Sequence, residues 1–259
     1  MSEFAAGKKE RLEQLQKMFN RIIEGTDINQ LADEYKDCVN TCVPADIVLL
    51  TDYLVATKTP MSDIKSGINK LLSLLHKTIA SYPYSPPEKE TYLGCLVENN
   101  RLLDERLQEI TPLLQKLEQS PESEGVKKCL LQSFKELERF NNYYQIKEKI
   151  LFPEIEKFIE KHGCISVMGA YHSDVREKMK QTIEELSRKK VNYEKFKKLS
   201  AKLFYLMYTL KFREERILYA FVQNSMSDEV LNALFEESLQ IGFPFFHPQI
   251  KDNNLISLN

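Results

Sequence analysis

Two glutamates stand where amphipathic helices would place apolar side chains. At helical spacing, one stripe reads Leu130, Phe134, Leu137, Asn141, Tyr144, Glu148, Leu151 and Ile155, and another reads Leu203, Met207, Leu210, Glu214, Ile217 and Phe221. A carboxylate on a core-facing stripe must be paired, protonated or bound to a metal, because an isolated buried charge is too costly. The alternative is that each helix rotates slightly and its glutamate reaches solvent at the stripe edge, near Lys147 or Lys211. Histidine is scarce, at four residues. His172 shares a helical face with Met168, Val175 and Met179, and is either a hydrogen-bonded core histidine or a ligand. His76 closes the apolar face of an N-terminal helix and carries the same two readings. His162 falls at a helix end, where its charge suits the dipole, and His247 lies in the tail segment FPFFHPQ. Cys38 and Cys42 are four apart, but one pair with no second Cys or His pair near it is a weak zinc signature. A Gly-rich phosphate loop, a nucleophile elbow and a zincin helix motif are all missing from the sequence. The expectation is therefore a non-enzymatic protein.

The elements that must position these residues read as helices throughout. Only 8 Gly and 10 Pro occur in 259 residues, with few alternating β-branched runs, so the predicted class is all-α. Asp27 with Gln30 can cap a helix running to about residue 40, Pro44 suits the first turn of the next, and Ser62 can cap a third. That third helix carries Ile64, Ile68, Leu71, Leu72 and Leu75 on one face. The segment SYPYSPPEKE, residues 81–90, has three prolines and marks the best domain boundary. Four long helical patterns follow, over about 90–119, 124–161, 166–189 and 193–223, with His162-Gly163 as a stop and Asn192 as an N-cap. A short helix follows Ser225, whose spacing to Asp228 fits a capping box. Four such helices with short loops predict an antiparallel four-helix bundle over 91–245, after an N-terminal helical domain over 1–80, with 246–259 as a tail. One internal repeat stands out: EKILF at 148–152 recurs as ERILY at 215–219, a pseudo-duplication or a chance match.

Composition narrows the function classes. Lys and Arg total 36 against 38 Asp and Glu, for a net charge of −2, which does not suit general nucleic-acid binding. No apolar run approaches the roughly 18–20 residues of a membrane span, and the opening MSEFAAGKKERLEQ lacks the apolar core of a signal peptide. Five cysteines make a disulfide framework an unattractive reading and point to a reducing cytoplasm.

Three segments carry a resemblance to a known family. YYQIKEKILFP at 143–153 resembles the H-x4-E-x-h-L-F-P segment of bacterial hemerythrin-like cation-binding domains, VMGAYHSDVR at 167–176 resembles their third-helix V-M-x3-H-D-E-h-R segment, and FREERILY at 212–219 resembles their fourth-helix E-E-x-h-L-F-P segment. Residues 10–79 are similar to a helical domain often fused in front of such modules, which carries a His near its end, here His76. The resemblance implies a hemerythrin-like bundle built to hold a non-haem di-iron centre from histidines and two carboxylates, binding O2 or sensing redox state or nitric oxide. It assigns His172 as a ligand and Glu148 and Glu214 as the carboxylates, with Glu215 a near alternative to Glu214. At the other family histidine positions this chain has Tyr143, Leu210 and, loosely aligned, Glu90. Leu210 has no donor atom, so the implied site is depleted. Three outcomes stay open: a carboxylate-rich iron or manganese site of Glu90, Glu148, His172, Glu214 and Tyr143; a metal-free interaction or regulatory module; or a bundle binding haem through His76 or His172. The expected partner is a metal ion or small gaseous ligand, with a protein partner or a second copy also open. The N-terminal domain would be the recipient of any signal.

Overall fold

The all-α reading holds. The structure, a computed structural model, describes residues 2–250 and 256–257, with side chains from 7 to 248. Beyond its helices it has one two-residue antiparallel pairing, β1 (Gln249–Ile250) with β2 (Ile256–Ser257). No helix among the described residues is long and apolar enough to cross a membrane.

The N-terminal elements are α1 (Ser2–Ile23), α2 (Ile28–Glu34), α3 (Lys36–Thr41), α4 (Pro44–Ala56) and α5 (Met61–Ser81). Asp27 caps α2 as expected, its Oδ1 accepting from the backbone N–H of Asn29 at 2.8 Å and Gln30 at 3.3 Å. The single helix expected up to residue 40 is interrupted at Tyr35, whose φ of −109° and ψ of 29° leave the helical region. Pro44 opens α4, and the fully buried Asp46 reaches back to accept from the Val43 N–H at 3.1 Å. Ser62 is not a cap; α5 starts one residue earlier, after an extended Pro60.

The long elements are α6 (Tyr92–Gln119), α7 (Glu124–Glu138), α8 (Asn141–Ile146), a π-helical segment π1 (Lys147–Leu151), α9 (Phe152–Phe158), α10 (Gly163–Leu186), α11 (Tyr193–Arg213), a second π-helical segment π2 (Glu214–Leu218) and α12 (Tyr219–Gln223). Two short helices, α13 (Asp228–Ala233) and α14 (Phe235–Ile241), follow. Asn192 caps α11 as expected, accepting from the Lys195 N–H at 3.0 Å. The pattern over 124–161 is divided at Arg139 and Phe140, passes through π1 and ends at Phe158. Gly163 does not stop that helix but opens α10, its N–H donating to Asp52 Oδ1 at 3.0 Å. The close approach requires glycine, because a Cβ would lie 2.8 Å from the Asp52 backbone. The last cap is Ser227, which accepts from the Val230 N–H, rather than Ser225, whose hydroxyl donates to the Phe221 carbonyl.

Both copies of the repeat coincide with the π-helical segments. Such turns make up well under about 1% of residues and concentrate at functional sites, so the match is structural rather than accidental.

The chain forms two compact units. The first comprises Met1–Ser85, Ile155–Ala170 and Phe212–Ser225. In it α1 packs on α4 and α5, and α4 on π2 and α12, around Leu15, Met18, Leu50, Leu71 and Val222. The second comprises Pro86–Glu154, Tyr171–Lys211 and Met226–Asn259. There α6 packs on α7 and α13, and α8 on α14, around Leu103, Leu107, Leu130, Phe134 and Tyr143. The chain first passes from one unit to the other at Ser85, inside the proline-rich segment. The first unit also takes in two later segments, of which π2 and α12 pack on α4.

Candidate functional site

Within the second unit, π1 and α10 bring Glu148, His172 and Arg176 together. His172 and Arg176 are one helical turn apart on α10 and so share a face. His172 Nδ1 lies 2.8 Å from Glu148 Oε1. Arg176 grips the same carboxylate with two N–H groups, Nη1 to Oε1 at 3.0 Å and Nη2 to Oε2 at 2.6 Å, while its Nε donates to Asn141 Oδ1 at 2.5 Å. Burial pushes the Glu148 carboxyl pKa up, but the hydrogen bonds and charges of His172 and Arg176 outweigh that and hold it at about 2. The ionised carboxylate accepts a hydrogen bond from Nδ1–H, and this fixes the imidazole so that in its neutral form Nε2 carries the lone pair. His172 is fully buried, its ring stacked on Tyr144 at 4.4 Å and on Phe152 at 5.8 Å.

Beside this group sits a buried lysine. Lys147 is fully buried, with Nζ 3.8 Å from the centre of the Tyr143 ring and 4.8 Å from that of Tyr144, within cation–π range. Tyr143 is itself buried and donates from its hydroxyl to the Leu96 carbonyl at 3.2 Å. The sequence left Glu148 either on the core stripe or turned to its edge near Lys147. The structure has Glu148 half-buried and puts Lys147 inside, because the helix break at Arg139 and Phe140 and the wider π turn change the phase that a 3.6-residue count assumes. A cavity of about 390 Å³ adjoins the group, walled by Phe140, Tyr144 and Arg176 among others.

The remaining expected site residues lie elsewhere. Glu90 is exposed, in the turn before α6, whose cap is Thr91. Glu214 is buried in the first unit, as its stripe predicts, and accepts from the Tyr219 hydroxyl at 3.5 Å. Leu210 is buried. His76 does not close an apolar face; it is exposed, its ring stacked on Phe212 at 4.7 Å. The five cysteines are free thiols. Cys38 and Cys42 are buried close to the Arg11–Asp46 ion pair, and burial pushes the Cys38 thiol up to about 11 and Cys42 higher still. Among the described residues, no group of three or more His, Cys, Asp or Glu side chains is placed to hold a metal ion.

Sequence reasoning did not single out Arg176, Asn141 or Lys147 as site residues. For Arg176 a signal was present in its i, i+4 spacing from His172. For Lys147 the signal was the repeat, because Lys147 and Glu214 occupy equivalent first positions of π1 and π2. Both are buried, while the following Glu148 and Glu215 are half-buried. Compared with known proteins, the chain matches no family model, no curated protein and no solved structure.

Proposed function

We propose that this chain is a non-enzymatic binding or regulatory module on a hemerythrin-like four-helix bundle, in which protein cations supply the positive charge that metal ions supply in that family. The Glu148 carboxylate carries the reading. One of its oxygens accepts from both His172 and Arg176, and the other accepts from Arg176. A metal would have to displace the bidentate guanidinium from the carboxylate. The other expected donors do not supply a replacement set, since Glu90 is exposed in its turn and the Tyr143 hydroxyl is directed to the Leu96 carbonyl. Iron or manganese therefore does not suit these residues as they stand.

One observation favours the second reading, a carboxylate-rich metal site. A carboxylate that accepts from one imidazole nitrogen is how metal-binding histidines are commonly oriented, and Glu148 does this to His172. Elemental analysis and an absorption spectrum of the full chain, purified from iron-supplemented cells, separate the two. The proposal expects metal far below one ion per chain and no ligand-to-metal band. About two iron or manganese ions per chain would overturn it in favour of the metal site, and a Soret band would overturn it in favour of haem.

A further inference from the structure

The cavity beside Arg176 has the makings of a ligand site. Its volume of about 390 Å³ falls within the ~300–1,000 Å³ of small-molecule sites. Val175, Met179 and Met207 give it an apolar wall, and its ionisable lining is Arg176, Lys180 and Glu138, two cations against one carboxylate. Arg176 has five N–H donors in a planar fork. Three are engaged by Glu148 and Asn141, and the other two have no acceptor among the described residues. Glu148, which holds the guanidinium through two of its N–H groups, is not part of the cavity lining. Lys180 is exposed and its one ion-pair contact among the described residues, Glu184, is long at 3.8 Å, so its charge is available to a ligand.

We propose that this cavity binds a small organic monoanion, an aliphatic or aromatic carboxylate. Its apolar body lies against Val175, Met179 and Met207, and its carboxylate accepts from one unused N–H of Arg176 with Lys180 close by. This inference rests on the reading that fixed cations, rather than a metal, carry the charge of the site. Recognition follows from a charge-assisted hydrogen bond and the nearby Lys180 charge, which a neutral isostere exploits far less.

The test uses the full chain labelled with 13C at the methionine methyls, after its metal content has been measured. Hexanoate and benzoate are titrated beside hexanamide and benzamide. The acids should shift the Met179 and Met207 methyls saturably and leave Met18, in the core of the other unit, unmoved, with the amides binding at least about tenfold more weakly. Arg176→Lys should abolish saturable binding, and Lys180→Gln, a surface change that does not threaten folding, should weaken the acids about threefold or more and spare the amides. Absence of shifts at Met179 and Met207, equal binding of acid and amide, or acid binding unchanged in Lys180→Gln would overturn the proposal. If Arg176→Lys fails to fold, Lys180→Gln decides. Stoichiometric metal would instead remove the underlying reading, whatever the titration shows.

Discussion

Glu148→Gln keeps the size of the side chain and removes the charge that His172 and Arg176 both address. Its cost can be worked from the carboxyl group. Depression from 4.5 to about 2, at about 1.4 kcal/mol per tenfold, corresponds to roughly 3 kcal/mol of stability at neutral pH. The Glu148 side chain is 27% exposed, so solvent screening trims this to about 2–3 kcal/mol. The sign follows from the direction of the shift. The folded pKa lies below the unfolded one, so the contribution is fully present above about 4.5 and is lost as the pH falls toward about 2. Urea unfolding of wild type and Glu148→Gln near neutral pH should differ by that amount, and at about pH 3 the gap should shrink to less than half. A gap under about 0.5 kcal/mol at neutral pH, or one that does not narrow with acid, would refute the idea that the ion group stabilises the fold.

Three further outcomes are expected. Gly94→Ala should destabilise by about 2–3 kcal/mol or more, read by urea unfolding, because a Cβ there would lie 2.0 Å from the Glu88 carbonyl oxygen. Tyr143→Phe should cost about 1 kcal/mol with an unchanged far-ultraviolet dichroism spectrum, since it removes the hydrogen bond to Leu96 and leaves the ring packing in place. A thiol reagent such as Ellman's at mildly alkaline pH should titrate the exposed Cys129 quickly. Cys38 and Cys95 are buried, and burial pushes their thiols up to about 11 and about 12, so they should react only on unfolding.

Much of the fold was legible because helix signals are local. The caps at Asp27 and Asn192, Pro44 at a helix start and the stripe from Ile64 to Leu75 act through neighbours within one or two turns. The boundaries that moved depended on distant partners. His162-Gly163 reads as a stop by composition, but Asp52 recruits the glycine N–H as the start of α10, from 111 positions away. The same limit hid the make-up of the first unit, since nothing local to residues 212–225 tells that α4 packs against them.

The site was legible in its residue types and not in its phase. A stripe counted at 3.6 residues per turn found His172 with Val175 and Met179, all buried on the uninterrupted α10. On the neighbouring helix the count crossed a break and a π turn, and it exchanged Lys147 for Glu148. The repeat held the information to correct this. Aligning EKIL with ERIL makes Glu148 equivalent to Glu215, so Glu148 and Glu214, the two carboxylates a metal site would use, are not equivalent positions. The residue that matches buried Glu214 is buried Lys147, so the duplicated turn keeps burial at its first position and exchanges an acidic for a basic residue there. A twofold-like carboxylate pair needs the same charge at both positions. Here a lysine stands at one of them, and a guanidinium lies across the next carboxylate.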